Sequence, residues 1–152
     1  MPKSSDSQQA AERLAVVLTD HGLQRMMARV LATLLFTDQH TMTAGELSDR
    51  LQASSGAISG AVKMLTSVGL AERVPVPASR RDHYRLRDDA WATLYTNQNE
   101  VISAMQAAAD AGIANVGPRS LAGQRLTQMR DFYAFLLEEI PALVKRWHDR
   151  SP

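Results

Sequence analysis

The stretch "TAGELSDRLQASSGAISGAVKMLTSVGL", Thr43–Leu70, decides the fold. It holds two helical patterns separated by a short polar turn. Thr43 and Glu46 have the S/T-x-x-E spacing of a capping box, in which each side chain bonds the other residue's backbone N–H. A short helix therefore opens here and runs to about Leu51, with Leu47 and Leu51 inward. Ser54 or Ser55 caps a second helix. Its apolar residues Ile58, Ala61, Val62, Leu65 and Val68 recur at helical spacing on one face, and Gly69 ends it. The other face is left with Ser55, Gly56, Ser59, Gly60, Lys63 and Ser67. A glycine inside a helix costs roughly 1 kcal/mol against alanine, so this bare front end needs a reason. Either the glycines relieve crowding against the preceding helix, or they let another molecule approach the backbone closely.

Working outward, Leu70–Val76 reads as a strand, with Pro75 and Pro77 marking an edge or an end. "PASRRD" is a turn. His83–Arg87 alternates, with Tyr84 and Leu86 on one face and His83, Arg85 and Arg87 on the other. The pair predicts a two-stranded hairpin with Arg80 and Arg81 at its tip, and Arg73 is expected to face Glu72 and solvent, a phosphate contact being the alternative. Upstream, residues 1–7 are polar and expected to fray. Gln8–His21 carries Ala11, Leu14, Ala15, Val17 and Leu18 at helical spacing before Gly22. Leu23–Phe36 is a further helix with Met26, Met27, Val30, Leu31, Leu34 and Leu35 inward, and "TDQHTM" is a connector. Downstream, Asp88 or Asp89 starts a long helix to about Ala111, which "GIANVGPRS" is expected to break. Ser120 to about Trp147 is helical again, with Pro141 either kinking that helix or opening a new one. The expected class is mainly α with a small β-hairpin. Helix, short helix, tight turn, helix and ribbon, in that order, make a winged helix-turn-helix lobe over 23–88.

Composition narrows the function. The chain has 152 residues, 45% of them hydrophobic, and no cysteine. Disulfides, thiolate zinc sites and cysteine redox switches are thereby excluded. The N-terminus lacks the apolar core of a signal peptide, and no run approaches the roughly 18 apolar residues of a membrane span. A soluble cytoplasmic protein with no membrane partner is expected. Net charge is only +1, but from Arg50 to Arg87 seven basic residues face two acidic ones, which is +5 and leaves −4 for the remainder. A basic lobe on an acidic chain is the electrostatic footprint of a nucleic-acid binder. The candidate DNA contacts are Ser54, Ser55, Gly56, Ser59 and Lys63 on the helix and Arg80, Arg81, His83 and Arg85 on the wing. In this geometry the front of the second helix meets base edges in the major groove, while the wing reaches the minor groove or the phosphates. A winged-helix module that binds protein and not DNA is the alternative; the basic wing and the Ser-Gly-Lys face speak against it. Phosphate-loop, dinucleotide, zinc-protease and nucleophile-elbow motifs are absent. Asp88–Asp89 and Glu138–Glu139 are adjacent pairs that do not share a helix face, and His21, His40, His83 and His148 are scattered. No enzymatic activity, cofactor or metal is expected.

At these residues the chain resembles the MarR-type regulators, particularly their GbsR-like branch. The matching stretches are "GLQRMMARVLATLL" (22–35), Thr43–Val74, "VPASRRDHYRL" (76–86), the Trp91 helix and "FYAFLLEEIPALVKRW" (132–147). The resemblance implies a homodimeric transcription factor, a repressor on a pseudo-palindromic operator of double-stranded DNA, released by a small ligand. It implies that the 1–22 helix and the 89–152 helices build the dimer interface, which agrees with their wide apolar stripes. A ligand pocket between the DNA and dimer lobes would be lined by Met26, Met27, Trp91 and Tyr95; ordinary core is the commoner use of such residues. Members of the family often carry a basic residue where Ser55 stands; its absence shifts the expected affinity toward Arg80 and Arg81.

Overall fold

A computed structural model describes residues 4–150, and for 97 and 98 the backbone alone. The elements are α1 (Ser4–Asp20), α2 (Arg25–Phe36), β1 (Met42–Thr43), α3 (Ala44–Leu51), α4 (Ser55–Ser67), β2 (Ala71–Val74), β3 (His83–Leu86), α5 (Ala90–Val116) and α6 (Leu121–Arg150). They divide into two compact units, Met1–Ala90 and Trp91–Pro152.

In the first unit the capping box forms as its spacing predicts. Thr43 Oγ1 accepts the Glu46 N–H at 3.1 Å and Glu46 Oε2 accepts the Thr43 N–H at 2.8 Å. Ser54 is the cap of α4, its Oγ accepting the Ala57 N–H at 3.2 Å. Ile58, Ala61, Val62 and Leu65 are buried as expected. They join Val30, Leu31, Met42 and Leu47 in the core. The sheet has three strands where the sequence suggests two, in the antiparallel order β1-β3-β2. The extra strand is two residues long, too short to show alternation, and it pairs Met42 with Tyr84 and Thr43 with His83. At the other end of the wing, the Arg87 N–H donates to the Leu70 carbonyl at 3.0 Å.

The N-terminal helix starts at Ser4, inside the segment expected to fray, with Asp6 in its first turn where a negative charge is favoured. Residues 1–3 of that segment lie outside the described residues. α1 packs on α2 through Ala11, Ala15, Ala28 and Ala32, with Leu14, Leu18 and Leu23 around them. Within one chain it therefore belongs to the winged-helix unit. Polar ties reinforce this. Arg29 Nη2 donates to Glu12 at 2.8 Å and to the Leu51 carbonyl at 3.2 Å, and Gln8 donates to the Arg50 carbonyl at 3.2 Å.

In the second unit α5 does not break at Gly112; it runs to Val116 and turns at Gly117, whose φ is +82°. A lone glycine weakens a helix without ending it, and Gly112 lies where a Cβ would meet Leu126 of α6 at 2.8 Å. The turn is tight. Ser120 Oγ donates to the Gly117 carbonyl at 2.8 Å and accepts the Gly123 N–H at 2.9 Å. A Cβ on Gly123 would lie 2.0 Å from the Gly117 oxygen. α6 then runs as one helix through Pro141. Arg130 links the two helices, bonded to Asp110 at 3.2 Å and to its neighbour Asp131 at 3.1 Å. These two carboxylates, Asp110 first, push the pKa of the guanidinium above its ordinary value.

The burial pattern of α4 sets one stability test. Ile58→Ala is expected to lower the free energy of urea unfolding by about 2–5 kcal/mol, whereas Ser59→Ala, on the exposed face, should change it by less than about 0.5 kcal/mol. Gly123→Ala should cost about 1–3 kcal/mol, because backbone must move to admit the methyl group.

Candidate nucleic-acid interface

α4 presents two surfaces. One is the buried face just described. On the other, Ser54, Ser55, Gly56, Ser59, Gly60, Lys63 and Ser67 are all exposed. Ser55, Ser59 and Lys63 follow one another at four-residue intervals, as do Gly56 and Gly60, so they form one stripe. Met64 lies exposed beside it, a neighbour the sequence reading did not single out. The stripe begins at the helix N-terminus, where N–H groups without helical partners favour a phosphate.

The structure removes one of the two explanations of the glycines. A Cβ placed on Gly56 or Gly60 meets no atom within 4 Å. Neither glycine therefore relieves crowding against α3 or any other described part of the chain. What remains is clearance on the outside of the helix, where each missing side chain lets a second molecule approach the backbone.

The wing carries the rest. Arg80 and Arg81 are exposed at its tip, as expected. Pro77 and Ala78 form the centre of a turn closed by the Ser79 N–H on the Val76 carbonyl at 3.1 Å. Ala78 sits at φ +64°, a position of a type II turn that glycine usually fills.

Two wing candidates have other work. His83 is half-buried, and both ring nitrogens are bonded: Nδ1 with Thr41 Oγ1 at 3.0 Å and Nε2 with Ser79 Oγ at 2.9 Å. Arg85 lies opposite Glu72 in the β2–β3 register and pairs with it at 2.7 Å. Arg73 faces Asp82 at 3.6 Å and not Glu72, because neighbours on a strand point to opposite faces. Arg87 pairs with Asp89 at 3.3 Å. Of the seven basic residues from Arg50 to Arg87, Arg73, Arg85 and Arg87 are paired, and Arg50, Lys63, Arg80 and Arg81 make no ion pair among the described residues. Thr41 and Ser79, which hold His83, do not stand out in the sequence; no local pattern points to a bond spanning 42 residues.

The four pocket candidates fall in different units. Met27 is buried and Met26 half-buried in α2 of the first. Trp91 and Tyr95 line an apolar groove of about 850 Å³ between α5 and α6 of the second, with Ile102, Leu136, Ile140 and Trp147. No group of three or more metal-ligating side chains occurs among the described residues, and none of their helices is long and apolar enough to cross a membrane.

A helix-turn-helix whose second helix shows a small, exposed N-terminal face, followed by a basic β2–β3 wing that pairs with β1, defines a winged-helix DNA-binding protein. The chain belongs to the MarR family of transcriptional regulators. Residues 21–82 match the MarR family model, and residues 89–150 match the model of MmpR5-like MarR family transcriptional regulators. The chain is 30% identical to the HTH-type transcriptional regulator MmpR5 of Mycobacterium tuberculosis over 99% of its own length and 92% of that protein's. A crystal structure of a transcriptional regulator superposes with a TM-score of 0.85 at 30% identity, covering 95% of this chain and 99% of that one.

The open space at Gly60 makes stability and binding separable. Gly60→Ala should raise the unfolding free energy by up to about 1 kcal/mol while weakening DNA binding, measured as a higher thermal midpoint alongside a higher Kd. A gain in both would show that the glycine does not serve the interface.

Proposed function

We propose that this regulator is a homodimeric repressor acting in the cytoplasm on a pseudo-palindromic operator, and that a small ligand releases it. The observation that carries the DNA part is the open space outside Gly56 and Gly60 on an exposed helix face. Ser55, Ser59 and Lys63 flank that clearance, Ser54 caps the helix and can still contact DNA, and Arg80 and Arg81 hold phosphates or enter the minor groove. Lys63 is the long side chain on the stripe, so it reads base edges while the arginines supply most of the affinity. His83 and Arg85 support the wing and do not lead the contact.

Dimerisation is supported by what the second unit leaves uncovered. Of the 30 residues of α6, Gly123 is the only described one that is buried. Phe132, Phe135, Leu143 and Trp147 are each more than half exposed. Aromatic residues in such numbers on one long helix call for a partner surface, and a second copy of the same helices supplies it. In such a dimer the two copies of α4 would enter successive major grooves about 34 Å apart. The α5–α6 groove is of a size that holds a small ligand, and Trp91 and Tyr95 are the pocket residues retained in this reading. Placement on the GbsR-like branch belongs to the same proposal and rests on the 43–74 and 132–147 stretches.

A salt titration of binding to DNA from the protein's own promoter tests the reading. Affinity should fall steeply with salt, and the double change Arg80→Ala, Arg81→Ala should reduce the slope of log K against log salt by about 2. Promoter binding undetectable at low salt, or indifferent to both salt and mutation, would overturn it in favour of a protein-interaction module. Sedimentation should give twice the 16.7 kDa chain mass.

A further inference from the structure

We propose that His83 is the positioning residue of the wing: it aims Arg80 and Arg81 through Ser79 and does not itself touch DNA. The proposal rests on the DNA-binding reading above and adds to it the device that presents the two arginines.

His83 opens β3, the central strand, where it lies opposite Thr43 on one side and Val74 on the other. Its ring bridges two places. Nδ1 reaches Thr41 Oγ1 in the connector before β1, and Nε2 reaches Ser79 Oγ in the tip. Ser79 Oγ also accepts the Arg81 N–H at 3.2 Å. The tip is therefore tied through one imidazole to a connector 42 residues earlier in the chain. A neutral imidazole donates from one nitrogen and accepts at the other, and hydroxyls do either, so the bridge closes in both tautomers.

The tip needs such a tie. An alanine at φ +64° is in a region that L-residues avoid, and the Arg73–Asp82 contact at 3.6 Å joins two exposed side chains, so it holds the tip weakly. A loose tip would have to be ordered when DNA binds, at the expense of affinity. With Ser79 fixed, the backbone of Arg81 is fixed, and its side chain and that of Arg80 start from a defined place.

Two variants separate the ends of the bridge. His83→Gln keeps a polar atom near the Nε2 position and so retains the Ser79 bond; His83→Asn keeps one near Nδ1 and loses it. His83→Asn and Ser79→Ala should each weaken promoter binding by about tenfold and reduce its salt slope, whereas His83→Gln should stay within about twofold of the unmodified protein. On the Arg80→Ala, Arg81→Ala background, His83→Asn should add almost nothing. Equal weakening on both backgrounds would mean that His83 acts by touching DNA or through general stability, and would overturn the proposal. So would unchanged binding by His83→Asn. Amide hydrogen exchange on the free protein gives a readout independent of DNA. Exchange at Arg81 should accelerate in His83→Asn and Ser79→Ala while α4 is unaffected; an unchanged Arg81 amide overturns the proposal. Failure of the unmodified protein to bind promoter DNA would instead strike the DNA-binding reading, and the exchange result would still decide the tie.

Discussion

Thr43 belongs to two structures at once. Its backbone is the last residue of β1, opposite His83, and its hydroxyl caps α3. The residue is buried, so neither role can be taken over by water. The wing and the helix-turn-helix therefore meet at one residue and cannot rotate independently there. The second junction is Leu70, which follows α4 and accepts the Arg87 N–H at the far end of the hairpin. With both ends pinned, the angle between the outer face of α4 and the wing is set by backbone bonds and not by flexible side chains. A reader of duplex DNA needs this, because groove spacing leaves little tolerance for a wandering wing.

Below that junction, one ion pair of the first unit is sheltered. Arg29 is about four-fifths buried and holds Glu12 of α1 on one side and the end of α3 on the other. Its fork satisfies a carboxylate and a helix-terminal carbonyl together, the kind of charge-assisted contact that a lysine could not reproduce. The small alanines of α1 and α2 make this possible by letting the helices come close. The result is that the N-terminal helix is fastened to the segment that leads into α4, a coupling that passes through three elements with one side chain.

What could be read in the sequence follows from range. The capping box, the two faces of α4 and the hairpin are written in residues three to a few positions apart, and each appears where its spacing says. Interactions between distant residues are not written locally. β1 is too short to have a pattern, and it exists because β3 offers it an edge. The Thr41–His83 bond and the Arg29–Glu12 pair each join residues with no local signal of one another. Periodicity showed the wing histidine as an outward residue beside Arg85, but it could not show that both its nitrogens are spent on the chain. The expected break at Gly112 fails for a related reason: a glycine reads as a breaker until the helix packed against it is known. The site itself was half legible. The Ser-Gly-Lys stripe and the tip arginines stand out in sequence, while the reason for the glycines required knowing that nothing in the described chain fills the space beside them.

The pairing of the wing's charges has a kinetic consequence. Arg73, Arg85 and Arg87 each face a carboxylate, so to an approaching duplex they count as dipoles more than as cations. Between Arg50 and Arg87 the far field falls to Arg50, Lys63, Arg80 and Arg81, and Coulomb steering by that segment scales with the smaller charge. A protein that presents fewer open cations releases fewer counterions on a random stretch of DNA and holds it less tightly. On a duplex, such a charge arrangement trades speed of encounter for quicker departure from sequence that does not fit.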